Sequence, residues 1–138
     1  MSARAERVLS TFPAFAARDV DALERMVTPD VDLRIAPVGP PGKPTLARRA
    51  RYRGHAGLRE WIREIDENYS ELTLEARAIE QAGEAFVVLG TVAYARGSVG
   101  GGMTIGWVYR FEGDLISHVE THWDWRAARD AARAPLAA

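Results

Sequence analysis

A chain of 138 residues, 47% hydrophobic and 27% charged, has the size and balance of one globular domain with a real core. Its 18 basic and 19 acidic residues leave a formal net charge of -1, so no global field draws it toward nucleic acid or a membrane surface. It contains no cysteine, which excludes disulfides, thiolate metal sites and a cysteine nucleophile. No apolar run approaches the ~20 residues of a membrane span, and residues 1–15 lack a signal-peptide core, so the cytoplasm is the default expectation.

In chain order, Val8, Phe12 and Phe15 recur at i, i+4 and i+7, one face of a helix. Pro13 lies inside this stretch and, lacking an N–H, predicts a kink or a restart near Thr11. Asp19 can cap a second short helix, with Leu23, Met26 and Val27 as its apolar face and Thr28-Pro29-Asp30 as its end. Val31, Leu33 and Ile35 alternate with Asp32 and Arg34, a strand of period two. Six of the eight residues from 37 to 44 are Pro or Gly (Pro37, Gly39, Pro40, Pro41, Gly42 and Pro44), a dense breaker cluster that predicts a surface loop. Leu58, Trp61, Ile62, Ile65 and Tyr69 then hold helical spacing over three turns.

The second half reads as sheet. Strands are expected at 72–79 and 84–96, followed by a loose Gly-rich turn at 97–102. Met103, Ile105, Trp107, Tyr109 and Phe111 alternate with smaller or polar residues, and Glu112-Gly113-Asp114 is a hairpin turn. A last strand is expected at 115–125. Residues 126–138 form a short polar tail, helical and Ala-rich over 126–133. The result is a single α+β domain over 1–138, with a cone-shaped, curved antiparallel sheet packed on about three N-terminal helices. A sheet bent around helices encloses an apolar cavity, the usual seat of a small ligand.

This order resembles the nuclear-transport-factor-2-like superfamily, a cystatin-like roll, and within it the SnoaL-like domains. The resemblance is carried by Asp19-Val20-Asp21-Ala22-Leu23, Thr28-Pro29-Asp30-Val31, Tyr52-Arg53-Gly54-His55-Ala56-Gly57-Leu58, Val108-Tyr109-Arg110-Phe111 with Asp114-Leu115-Ile116, and Asp124-Trp125-Arg126. It implies a pocket for a small organic molecule and a homodimer formed through the open sheet face. It also permits a comparison of catalytic positions. Ketosteroid-isomerase-like relatives carry a base at the end of the first strand, where Ile35 or Ala36 stands here. Their oxyanion donors, a tyrosine and a protonated aspartate, correspond to Phe12 and Trp107. The aspartates and arginine of epoxide-hydrolase-like relatives correspond to Val88, Gly90 and Thr121, and Thr121 also stands where SnoaL-type cyclases place an aspartate. Each acid-base group that can be carried over is replaced by a residue unable to take a proton.

The last strand reads His118-Val119-Glu120-Thr121-His122-Trp123-Asp124-Trp125. Alternation puts His118, Glu120, His122 and Asp124 on one face and Val119, Thr121, Trp123 and Trp125 on the core face. A slip of one residue would turn Glu120 inward as a cavity acid or base. Glu120 inward favours an enzyme; Thr121 inward favours a binder. His118 and His122 lie ~13 Å apart on a flat strand, too far to share one ion, so no metal and no cofactor is expected.

The ligand-contact candidates are Leu33, Ile35, Trp107, Tyr109, Thr121 and Trp123. Aromatic stripes are also ordinary core, but a buried indole or phenol needs a polar partner and so can hold one on a ligand. His55 opens the long helix and is either an exposed first-turn residue or a base at the pocket rim. Arg48, Arg49, Arg51 and Arg53 form either a solvated face or a seat for an anionic tail. No nucleic-acid motif accompanies them, and 97–102 lacks the features of a phosphate loop. Two functions follow: a pocket protein for a small, mostly apolar molecule, with isomerase-, cyclase- or hydratase-type chemistry in view, or a non-catalytic dimeric binding or interaction module. Partner binding through the sheet face ranks below both.

Overall fold

A computed structural model of the chain describes residues 1–35 and 47–135. The breaker segment at 37–44 and Ala36 lie outside the described residues. The elements run α1 (Ala3–Ala16), α2 (Val20–Met26), β1 (Val27–Arg34), β2 (Arg51–Arg53), α3 (Gly54–Asn68), β3 (Glu71–Ala82), β4 (Ala85–Arg96), β5 (Val99–Glu112), β6 (Leu115–His122) and α4 (Trp125–Arg133).

α1 starts where the Ser2 side chain accepts the Ala5 N–H at 3.1 Å, a side-chain N-cap. It runs unbroken through Pro13, with no restart near Thr11. Pro13 falls in the last turn, so its missing N–H deprives only the Leu9 carbonyl of a partner. The Pro13 carbonyl still accepts the Ala17 N–H at 3.0 Å. Arg18, in the left-handed region (φ 53), then reverses the chain. Asp19 caps α2 as expected, its carboxylate accepting the Ala22 N–H at 3.1 Å.

The six strands form one curved, open sheet in the order β2-β1-β6-β5-β4-β3. β3, β4, β5 and β6 make the expected antiparallel meander, but β1 lies parallel to β6, so the sheet is mixed. Bulges between Ala76 and Ala78 and between Arg110 and Phe111 bend the long strands. The sequence shows β2 as a basic run and, from Tyr52, as the stretch leading into the long helix, with no strand signal. Three residues are too short to show a period, and its one apolar member, Tyr52, is buried between exposed arginines.

Glycine shapes the strands at two points. At Gly90 a Cβ would overlap the Glu75 carbonyl oxygen and come within 2.9 Å of the Trp107 ring. A bare backbone there leaves room for the Trp107 ring. The turn expected at 97–102 is confined to Gly97 and Ser98, because Gly100, Gly101 and Gly102 pair with Ala95, Tyr94 and Ala93 inside β5. With no side chains to show an alternation, they read as loop but make strand.

The main core lies between the concave face and α1, α2 and α3, with Val8, Val31, Val88, Ile105 and Ile116 fully shielded from solvent. Each such aliphatic side chain contributes about 1.5–3 kcal/mol on burial. A second, smaller core lies on the convex face, where Ala128 and Ala132 of α4 pack on Ala85, Val87, Leu89 and Val108. β6 therefore ends at His122 rather than at residue 125, and the chain beyond it is a docked helix. Asp124 caps α4 by accepting the Ala127 N–H at 2.8 Å. The Trp125 indole donates to the carbonyls of Gly90 and Ile105 at 3.0 and 3.1 Å, so it lies against the sheet from outside instead of entering the core.

Candidate functional site

The concave face and helices enclose a cavity of about 80 Å³. Its sheet side is built by Leu33, Ile35, Trp107, Tyr109 and Thr121, five of the six residues expected from sequence. The sixth, Trp123, packs against the same core but does not line the cavity. On the helix side only Phe12 was anticipated, from its oxyanion-donor position in the resemblance; Thr11 and Phe15 from α1, Leu23 from α2, and Leu58 and Trp61 from α3 were not. The signal was present in the Val8-Phe12-Phe15 spacing, which marked a buried face without saying that a void lay against it.

Register decides what faces inward. Trp107 pairs with Thr121 and Tyr109 with Val119, so these four share the concave face. Glu120 pairs with Val108 and with Arg34 and points to the convex side. None of the described residues around the cavity is ionisable except Tyr109.

Tyr109 is fully buried, and burial pushes its phenol up to about 12, only partly offset by its bond to Thr11. Its oxygen lies 3.0 Å from Thr11 Oγ1, which in turn donates to the Val8 carbonyl at 2.7 Å. Phe12 meets Trp107 edge-on, with ring centroids 4.9 Å apart and planes at 82°. Such a pair adds about 0.5–1.5 kcal/mol beyond area burial. The two positions that could have held oxyanion donors are thus occupied by one aromatic contact. Phe12 is only partly buried and forms part of the wall between cavity and solvent.

On the convex face the polar side chains form a connected row. Arg51 grips Asp32 with two bonds of 2.8 and 2.9 Å, and Arg34 adds a third at 3.2 Å. Burial pushes the Asp32 carboxyl up, but the Arg51 hydrogen bonds and the Arg34 charge outweigh it and hold it below its ordinary value. His118, 2% exposed, sits between Asp32 and Glu120, with Nδ1 3.7 Å from the former and Nε2 3.1 Å from the latter. His122 Nε2 meets the other Glu120 oxygen at 3.0 Å. Among the described residues no group of three or more His, Asp or Glu side chains is arranged to hold a metal ion.

His55 stands in the first turn of α3 with Nδ1 3.6 Å from Glu24 Oε2. It faces α2 and is not at the cavity rim. The basic run is drawn largely into ion pairs: Arg49 with Glu60 at 2.6 Å, Arg48 with Glu67 at 3.9 Å and Arg51 with Asp32. Its charge is therefore mostly matched within the chain.

A curved sheet holding three helices around an apolar cavity defines an α+β pocket fold of the nuclear-transport-factor-2 type. The SnoaL-like domain model matches residues 8–119, and the chain belongs to that family. Its structure is similar to an NTF2-like protein of unknown function from Burkholderia pseudomallei, at 24% identity and a TM-score of 0.76, over 97% of this chain and 100% of that one. It is similar to TerC co-crystallised with polyporic acid, at 20% identity and a TM-score of 0.75, over 96% and 100%. It is also similar to a protein with a ketosteroid-isomerase-like fold from Catenulispora acidiphila in complex with trimethylamine, at 13% identity and a TM-score of 0.70, over 94% of each. At these identities the likeness shows the fold alone. No match was found among the curated proteins.

Proposed function

We propose that this chain is a SnoaL-like binding protein whose cavity receives a compact, uncharged, mostly apolar organic molecule, with no acid-base catalysis by the cavity's own side chains. The observation that carries this is the register of β6: Thr121 lines the cavity and Glu120 lies on the opposite face. Proton transfer needs a group of suitable proton affinity within hydrogen-bond reach. Tyr109, with its phenol at about 12, is not such a base at neutral pH. The small ligands crystallised with two structural neighbours, polyporic acid and trimethylamine, support a ligand-binding role for this fold, while the uncharged class proposed for this chain rests on its own cavity lining.

The cavity's size bears on the ligand. At about 80 Å³ it is smaller than the ~150 Å³ that holds benzene in an engineered core, and well below the ~300–1,000 Å³ of ordinary small-molecule sites. A ring-sized ligand therefore needs the partly exposed Phe12 to move. Native mass spectrometry of the purified protein, with extraction of any co-purified organic mass, tests the reading. A bound mass of a neutral small molecule supports it. An acidic or basic metabolite held stoichiometrically would overturn it.

The reading includes a homodimer through the convex face of β2, β1 and β6. The motivating observation is that Arg34, Arg51, Glu120 and His122 form a row of both signs beside α4, a pattern that can meet its own copy across a two-fold axis. Light scattering across a dilution series is the check, and a monomer at every concentration would remove this part of the proposal.

A further inference from the structure

We infer that the cavity is built to read a hydrogen-bond donor, and so takes small alcohols in preference to ketones, aldehydes or carboxylates. The inference rests on the reading of the cavity as a ligand site and deepens it to a ligand class.

The argument is one of proton direction. The Val8 carbonyl can only accept, and Thr11 Oγ1 lies 2.7 Å from it. A threonine hydroxyl has one hydrogen, so Thr11 spends it on Val8. Thr11 Oγ1 is also 3.0 Å from the Tyr109 oxygen. With the threonine hydrogen committed, Tyr109 must be the donor in that contact, and its hydrogen points to α1. Thr11 and Tyr109 both line the cavity, so what their contact leaves for a ligand is the phenol's remaining acceptor capacity. A ligand hydroxyl can donate to it. A ligand carbonyl would set acceptor against acceptor, unless the Tyr109 hydrogen left Thr11. A carboxylate would in addition enter an apolar space with no partner for its charge.

The direction is fixed by buried groups, which is why it can discriminate. Val8 is wholly shielded, and Thr11 and Tyr109 are 8% and 5% exposed, so water is not at hand to reorganise the chain. Redirecting the tyrosine hydrogen costs the Thr11 bond, equivalent to roughly a three- to tenfold loss in affinity. Tyr109 is thus a specificity-determining residue and Thr11 the residue that sets its direction.

The test uses cyclohexanol and cyclohexanone, a donor and an acceptor on the same ring, with toluene as an apolar probe of occupancy. Each is titrated by amide chemical shifts into the Phe12→Ala chain, which makes room for a six-membered ring, and into the unaltered chain. The expected result is cyclohexanol bound roughly three- to tenfold more tightly than cyclohexanone. In Tyr109→Phe the alcohol loses that advantage while toluene binding is kept. Thr11→Val is the second variant, nearly isosteric and independent of whether Tyr109→Phe folds. It frees the Tyr109 hydrogen to turn inward, and the preference moves toward cyclohexanone. Toluene bound with no preference for the alcohol, or a Thr11→Val chain with the preference unmoved, overturns the inference and leaves the ligand site standing. No binding of any of the three overturns the ligand site itself and the inference with it.

Discussion

His118 and Glu120, two residues apart on the convex face of β6, share a hydrogen bond of 3.1 Å between Nε2 and Oε1, and His122 holds the second Glu120 oxygen at 3.0 Å. Those bonds from His118 and His122 hold the Glu120 carboxyl well below the ordinary carboxylate range, against the opposing effect of burial. A carboxyl depressed in the folded state contributes stability that is full above its unfolded value, about 4.3, and is lost as pH falls toward the folded value. Urea unfolding between about pH 7 and 3 should therefore show stability declining below about pH 5. Glu120→Gln should lower stability at neutral pH by about 1.5–3 kcal/mol, the worth of a hydrogen bond to a charged group, and flatten the acid decline. Parallel curves for the two proteins would mean that other carboxyls carry the acid sensitivity.

The close contact between β5 and α4 gives a second prediction. A Cβ at Gly106 would stand 2.5 Å from Ala128 Cβ, closer than packed carbons tolerate. Gly106→Ala should push α4 from the sheet and destabilise the protein by about 1–3 kcal/mol, the usual cost of overpacking. Hydrogen exchange should rise in α4 and in the Trp125 indole, which donates to Gly90 and Ile105, while α1 and α3 stay protected. Uniform loss of protection would show instead that α4 unfolds only with the whole domain.

How far sequence led is clearest where periodicity carried the signal. Val31, Leu33 and Ile35, and Ile105, Trp107 and Tyr109, alternate cleanly, and both sets face the core. The same alternation put Thr121 inward and Glu120 outward, as the strand pairing has it. Sequence was silent where a partner distant in the chain decides the environment. Asp32 reads as a solvent-facing strand residue, yet it is 9% exposed because Arg51 and Arg34 close over it. Trp125 continues the alternation of β6, but the Asp124 cap starts a helix there and turns the indole to the convex face. The size of the cavity could not be read from the sequence, since it depends on how Phe12 and Trp107 meet across α1 and β5.

The buried phenols predict the alkaline limit. Burial pushes Tyr109 up to about 12, and burial also raises Tyr69 and, with its bond to Glu64, Tyr52. A raised group contributes stability that is complete below its unfolded value, about 10 for tyrosine, and lost as pH rises toward the folded value. Stability should hold to about pH 10 and then fall. Phenolate absorbance should show Tyr109 ionising late, or only as the chain unfolds. Tyr109→Phe should soften the decline. If Tyr109 ionises near 10 in the folded protein, the Thr11–Tyr109 contact is open to water.

Phe12 controls the room in the cavity. Its ring is packed edge-on against Trp107 yet remains partly exposed, so removing it opens the space from the solvent side. A fully buried Phe→Ala change costs about 3–5 kcal/mol. Partial exposure should bring Phe12→Ala to about 1–3 kcal/mol, because less of the ring leaves water on folding. The variant should then recover stability as toluene is added, since a ligand bound only by the folded state raises its stability with concentration. The unaltered chain, with about 80 Å³ available, should respond less. Melting temperature against toluene concentration measures both. An equal response in the two proteins would show that Phe12 already swings aside freely. No response in either would mean that the space between helices and sheet takes no ligand even when enlarged, and would overturn the reading of it as a ligand site.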